Sequence, residues 1–325
     1  MRYLLFLLVS IVVVSCDNDF ELVADYKETP VVYGIIDQGD SIQYIRVERA
    51  FIDKSISANT IAQNADSLYY DDITVKLVRV KTGEEYTLER VDGNEIGLQR
   101  DLGVFANDPN YLYQIRTDAI PLIAEEQIQI RVEGVFEDRA VTAMAPILKP
   151  AFFINPSNES VIGFLRNRKS NVGWSGKNDP QDYDPIFSVI YSFDVNEERN
   201  GVTTTKTLDW VVERNTERTV IEIEGIDFYS FMLGALEKDP AVTRSMGLAK
   251  FSLIEGNKAV ADYIRVGLAN TGLTSSGEIP IFTNMSEGLG LFGSSITQER
   301  TNLSISQTTL DSLRMSPLTA ELNFE

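Results

Sequence analysis

Apolar and polar positions alternate in short runs along most of this chain, and Gly, Asn, Asp and Pro punctuate the runs. Val31-Val32-Tyr33-Gly34-Ile35-Ile36 is an apolar run that stops in the turn cluster Asp37-Gln38-Gly39-Asp40. Ile42, Tyr44, Ile45 and Val47 resume it, so the pair reads as a hairpin. Residues 53–68 are polar and rich in Ala, Asn and Ser, which predicts a long loop with a helical turn. Residues 73–80 alternate well, turn at Lys81-Thr82-Gly83 and return through 85–90. Residues 111–116, 127–132 and 140–144 continue the same period of two. Short strands at this spacing predict an antiparallel sandwich over residues 30–147, with Pro146 and Pro150 marking a boundary near 148.

The second half mixes periods. Residues 186–195 and 203–213 read as a hairpin around Asn200-Gly201, and 220–224 as another strand. Phe228, Phe231, Met232, Ala235 and Leu236 instead fall at helical spacing, predicting a packed helix over 227–238 with Asp227 as N-cap. Strands are expected at 251–254, 259–266 and 301–306, and a short helix at 308–315. The expected fold is mainly β: an immunoglobulin-like sandwich, then a β-rich domain over 148–325 with one or two helices.

The N-terminus breaks this grammar. Arg2 precedes a nearly all-apolar stretch over 3–14, which ends in Val13-Val14-Ser15-Cys16. A charged start, a short apolar core and a small residue before the cut describe a secretory leader over residues 1–15. The run is shorter than the ~20 residues of a comfortable bilayer span, and the later apolar runs have strand length. Residues 16–29 then read as an acidic tether.

Composition narrows the chemistry. Once the leader and its Arg2 are removed, 28 basic residues face 48 acidic ones, a balance that repels nucleic acid and anionic headgroups. Histidine is absent, which excludes Ser-His-Asp and Cys-His catalysis, imidazole acid–base work and histidine-bound metals. Cys16 is the single cysteine, so no intrachain disulfide forms.

Four further groups are candidates for chemistry. Asn178, Asp179, Asp182 and Asp184 place four oxygen-bearing side chains in seven residues, a possible Ca²⁺ site set against the turn-forming habit of Asx beside Pro. Trp174 and Trp210 could stack on a ligand such as a glycan, although strand aromatics usually fill cores. The doublets Asp71-Asp72, Glu84-Glu85, Glu125-Glu126 and Glu197-Glu198 are poor hydrolase pairs, because adjacent strand residues point to opposite faces. Gly288-Leu289-Gly290-Leu291-Phe292-Gly293 matches G-x-G-x-x-G without a surrounding βαβ unit. It is expected to be a glycine bend with Leu289, Leu291 and Phe292 packed beneath a loop.

The cysteine after a small residue resembles a bacterial lipobox, in which the thiol takes acyl chains such as palmitate and becomes the mature N-terminus. Cys16-Asp17-Asn18-Asp19-Phe20-Glu21 resembles the acidic export signal of surface lipoproteins of Bacteroidetes. Val32-Tyr33-Gly34-Ile35-Ile36-Asp37, the run 44–51 and the run 280–293 are similar to segments of such lipoproteins, nearest the DUF4249 family over most of the mature chain. Asn284, Gly288, Gly290 and Phe292 fit that family's Asn-Ile-x-x-Gly-x-Gly-x-Phe motif, with Met285 in place of Ile. The resemblance implies an N-terminal immunoglobulin-like domain and no catalytic residue to carry over. It also implies a surface-exposed outer-membrane lipoprotein that serves a barrel such as a TonB-dependent transporter or a secretion complex. A ligand- or glycan-capturing lipoprotein is the alternative expectation, and a carboxylate hydrolase the weaker one.

Overall fold

The computed structural model describes residues 28–50, 56–157, 160–175, 185–270 and 281–325. In chain order, the first half carries β1 (Pro30–Asp37), β2 (Ile42–Arg49), helices α1 (Ala58–Ala62) and α2 (Ala65–Leu68), β3 (Thr74–Arg79), β4 (Glu85–Thr87) and β5 (Glu89–Asp92). It continues with β6 (Tyr111–Arg116), β7 (Gln127–Glu133) and β8 (Val141–Pro146). The second half carries β9 (Phe152–Asn155), β10 (Val161–Ile162), β11 (Lys169–Ser175), β12 (Ile186–Arg199), β13 (Val202–Thr216) and β14 (Val220–Glu224). Helix α3 (Gly225–Ala235), β15 (Thr243–Gly256), α4 (Lys258–Asn270), β16 (Leu289–Ile305) and α5 (Gln307–Met315) complete it.

These strands form a mainly β structure of mixed sheets. The largest has the order β13-β12-β15-β16-β1-β2-β6-β5, with β10 added beside β16. β4-β3-β7-β8 and β14-β11-β9 make two smaller sheets. Alternation sets the inner faces: Ile128, Ile130 and Val132 of β7 are buried, and so are Val141, Ala143 and Ala145 of β8. They meet Val32, Ile36, Ile45 and Val47 of the large sheet in an aliphatic core. Ile147 closes that cluster and Ala151 opens a second, aromatic one, in which Phe153, Phe164, Trp174, Phe193 and Phe228 are buried between the other half of the large sheet, β14-β11-β9 and α3.

The C-terminal strand joins the two halves. Residues 289–295 of β16 run parallel to β1, with Val31 opposite Leu289 and Asp37 opposite Ser295. Residues beyond 295 pair antiparallel with β15. Met285 and Phe292 therefore sit in the first core, among residues far from them in sequence.

Three local expectations are corrected. Residues 259–266 are helical, inside α4, rather than a strand. Asn257 Oδ1 accepts from Val260 N–H at 3.3 Å, and Val260 and Ile264 stand one helical turn apart over Ile186 and Leu291. The helix expected over 227–238 begins at Gly225, with Asp227 in its first turn and no side-chain cap. A Cβ on Gly225 would lie 2.0 Å from Leu165 O, so only glycine lets the helix start dock there. The 288–293 glycines open a 17-residue strand instead of bending under a loop, and the next helix begins only at Gln307, too far along to receive a pyrophosphate. Gly290, at φ 123°, would place a Cβ 1.9 Å from Val32 O, so the glycine is what permits β16 to close on β1. The Asn284 side chain braces the same seam. Its Oδ1 accepts from Phe292 N–H at 3.0 Å and its Nδ2 donates to Phe292 O at 2.7 Å.

Candidate interaction surface

Cys16, the acidic run Asp17, Asn18, Asp19, Phe20 and Glu21, and the cation candidates Asn178, Asp179, Asp182 and Asp184 all lie outside the described residues. The two tryptophans do not offer stacking platforms. Trp174 is 1% exposed and packs on Phe187 at 5.1 Å, which rules out a ligand-stacking role for it. One face of Trp210 is stacked on Phe231, with centroids 5.7 Å apart and planes at 18°, and Phe164 meets its ring edge-on at 5.6 Å. Sequence reasoning could not see any of these three partners, since they arrive from β12, α3 and the segment after β10.

Members of three of the carboxylate doublets are ion-paired. Glu84 pairs with Arg79 at 2.7 Å, Glu85 with Lys76 at 3.0 Å and Glu126 with Lys81 at 2.8 Å. The Thr82 hydroxyl, then Arg79, hold Glu84 below the usual carboxylate range; Lys76 does so for Glu85, and Lys81 with Arg79 for Glu126. A general acid needs the opposite shift. Asp40 is pushed up, by burial and by the charge of Asp37, but it sits in the β1–β2 turn, where Asp37 Oδ1 accepts from Gly39 N–H at 2.8 Å. No group of three or more His, Cys, Asp or Glu able to hold a metal occurs among the described residues.

Small clefts occur among the described residues. One of about 300 Å³ lies on the outer face of the large sheet between Ser192, Asp194, Thr207, Lys250 and Asn302. Another, of about 180 Å³, lies between Asn155, Ile162, Asn171 and Tyr191. Ligand sites usually hold ~300–1,000 Å³ and are mostly apolar, so the first cleft reaches only the lower bound and the second falls below it.

The feature that stands open is the β12–β13 hairpin. Its two-residue loop is Asn200-Gly201, at φ 53° and 77°, the left-handed pair that a tight hairpin turn requires. Arg199 pairs with Val202, and the register runs unbroken to Ile190 opposite Val211. Residues flanking such a loop form a hydrogen-bonded pair, and alternation then turns the N–H and C=O of Thr203, Thr205, Thr207 and Asp209 away from β12. β13 ends the large sheet, so those groups line its edge. Residues 202–207 are all exposed. Thr205 Oγ1 donates to Asn196 Oδ1 at 2.7 Å and Thr207 Oγ1 to Asp194 Oδ1 at 2.7 Å, which ties the ribbon together across its outer face.

The shaft of the hairpin is locked from below by Arg244 of β15, a residue that no sequence pattern singled out. Arg244 is 2% exposed and donates from Nε to Glu197 Oε1 at 2.9 Å, from Nη1 to Leu322 O at 2.8 Å and from Nη2 to Glu237 O at 2.9 Å. Lys206 Nζ meets the other Glu197 oxygen at 2.6 Å. Burial pushes the Glu197 carboxyl up, but hydrogen bonds from Lys206 and Arg244 outweigh it and leave it below the usual range. The ribbon is thus fixed to the C-terminal residues and to the end of α3.

No family model matches the chain, and no curated protein matches it. Among solved structures, the IG1+IG2 domains of DIP-gamma align over 86% of this chain and 98% of theirs at 8% identity, with a TM-score of 0.18. The FN1-FN3 domains of chicken CNTN1 align over 85% and 67% at 9% identity, with a TM-score of 0.19. At these TM-scores neither superposition defines a shared fold.

Proposed function

We propose that this chain is a non-enzymatic, surface-exposed lipoprotein of the outer membrane, acylated at Cys16 and exported by its Asp17–Glu21 signal. It serves as the binding or accessory subunit of a barrel protein, a transporter or secretion channel, and engages it by strand addition at β13. The leader, the single cysteine and the resemblance to the DUF4249 lipoproteins support the anchor and the class of partner. The two sheets around the aliphatic core are in keeping with an immunoglobulin-like N-terminal module.

One observation carries the interaction reading: a 15-residue edge strand with no proline, polar over its exposed half and rich in threonine. Natural edges are usually short, proline-bearing or covered, because open N–H and C=O groups template another strand. Threonine keeps strong β propensity without adding apolar surface, so this edge stays ready to pair and remains soluble. Strand addition draws affinity from main-chain hydrogen bonds, which the outward groups of Thr203, Thr205 and Thr207 supply.

The test is Thr205→Pro. It deletes an outward-facing N–H, a position where an edge strand tolerates proline, and leaves the β12 ladder intact. A barrel protein should co-purify with the wild type from mild detergent and be lost with Thr205→Pro, while circular dichroism stays unchanged. Wild-type protein that extracts cleanly as a monomer, or a variant that retains the barrel, defeats the reading.

A further inference from the structure

The loop over residues 93–110, between β5 and β6, reverses the usual arrangement of a surface loop. Its apolar side chains Ile96, Leu98, Leu102, Val104 and Phe105 are exposed, Leu102 at 93%. Two of its asparagines, Asn94 and Asn110, turn inward and hold it. Asn110, fully buried, donates from Nδ2 to Leu98 O at 2.7 Å, and Asn94 Nδ2 donates to Asn107 O at 2.8 Å. Asp92 Oδ1 accepts from the N–H of Asn94 at 2.9 Å and of Asn110 at 3.1 Å. Arg100 turns back to pair with Glu48 and lies over the Phe105 ring at 5.0 Å. Exposed apolar patches on an otherwise acidic, soluble body mark contact surfaces, and a loop braced from beneath presents its apolar tips at little entropic cost.

The position of the loop identifies what it contacts. Asp92 pairs with Tyr111, and β6 follows β2 with Tyr113 opposite Ile45, so the loop emerges beside the end of β2. Glu48, which Arg100 grips, pairs with Val31, and Pro30 pairs with Arg49. Ala50 N–H donates to Thr29 O at 2.9 Å, and Arg49 meets Glu28 at 3.2 Å. The loop therefore shares one end of the sheet with the point where the tether enters. Twelve residues separate that point from Cys16, a reach of at most ~40 Å fully extended. The β12–β13 tip lies at the other end, beyond the 289–303 stretch of β16, which alone spans about 45 Å.

We infer that residues 96–105 form a membrane-docking loop that seats its apolar tips in the interfacial region of a lipid bilayer. The docking holds the anchored end on the membrane, so the β13 edge meets its barrel partner at the part that stands above the bilayer. The inference rests on the lipoprotein reading for the anchor. Glu95 and Asp101 on the same loop, with the acidic balance of the chain, select zwitterionic over anionic headgroups.

The experiment uses the full lipoprotein in phosphatidylcholine vesicles containing brominated acyl chains. An environment-sensitive dye is placed on Leu102→Cys or, as the distal control, on Thr204→Cys. Mass spectrometry of Cys16 reports the anchor independently, so loss of that reading appears as an unacylated thiol rather than as a change in quenching. The dye at residue 102 should be blue-shifted and quenched several-fold more than the dye at 204. Equal, solvent-like emission at both positions on an acylated protein overturns the inference. So does protection of residue 102 that needs a co-purified barrel and shows no lipid quenching.

Discussion

The core beside β1 is aliphatic and the distal core is aromatic, and the two are assembled differently. In the first, buried positions recur at every second residue, as Ile128, Ile130 and Val132 of β7 and Val141, Ala143 and Ala145 of β8, so neighbours along one strand specify the face. In the second, rings converge from separate elements. Phe164 stacks on Phe228 of α3 at 4.7 Å and meets Tyr191 of β12 edge-on at 5.6 Å. Phe193 meets Phe228 at 5.2 Å. Offset and edge-on ring pairs add ~0.5–1.5 kcal/mol each beyond burial, so the distal core concentrates its stability in few side chains. The near core spreads its stability over many. The difference suits a distal end that must hold a projecting hairpin without a second layer over its tip.

Single truncations separate these two modes. Phe228→Ala should cost about 3–5 kcal/mol, while Ile130→Val in the near core should cost only ~0.5–1.5 kcal/mol. Urea unfolding of both variants reads the difference, and equal costs would erase the contrast. Next in size is the polar lock under the hairpin. Arg244→Met leaves Glu197 with Lys206 alone and should cost about 3 kcal/mol at pH 7. Glu197 is depressed in the folded state, so its contribution is present above its unfolded value of 4.5 and fades as pH falls through the lower folded value. The gap between wild type and Arg244→Met should therefore narrow below pH 4.5, and a gap that widens there would show that Glu197 is not the partner that matters.

The seam between the halves comes third. Gly290→Ala forces a Cβ against Val32 O at φ 123°, whereas Gly83→Ala, at φ 73°, meets nothing within 4 Å. Both variants carry left-handed strain of ~1–2 kcal/mol, and Gly290→Ala should exceed Gly83→Ala by about 1–3 kcal/mol because β16 must pull away from β1. Thermal melts that shift equally would mean that β16 does not bind the two halves through this contact.

What the sequence disclosed follows the same division. Alternation within one strand is local, so β7, the Asn200-Gly201 hairpin and the short helix at 307–315 were legible. The Val260, Ile264 and Val266 positions suggested a strand because β-branched residues favour sheets, and the cap from Asn257 together with packing on β16 prevailed. The burial of Trp174 and the role of Gly290 depend on strands from distant parts of the chain. Arg244 gave no signal, since its partners are Glu197, 47 residues away, and the main-chain oxygens of Glu237 and Leu322. The candidate interaction surface was half readable: the hairpin was visible, but its place at a sheet edge is a property of strand order. The apolar residues at 96–105 carry no sign in the sequence that they face outward.

That loop supplies the smallest expected effect and the sharpest contrast within one segment. A side chain that supports a fold costs stability when removed, and one displayed to solvent does not. Asn110→Ala deletes the buried donor to Leu98 O and should cost about 1–3 kcal/mol, as the loss of a buried hydrogen bond does. Leu102→Ser removes a larger apolar group eight positions away, yet at 93% exposure it should stay within about 0.5 kcal/mol of wild type. In an ordinary core the apolar change would be the damaging one and the polar change the mild one. Thermal melts of the two variants in detergent-free buffer decide between these orders. If Leu102→Ser destabilises as much as Asn110→Ala, the leucine is covered in solution and the loop belongs to the near core. If the order holds, the exposed tips contribute nothing to the isolated fold, and their apolar character answers to a surface outside the chain.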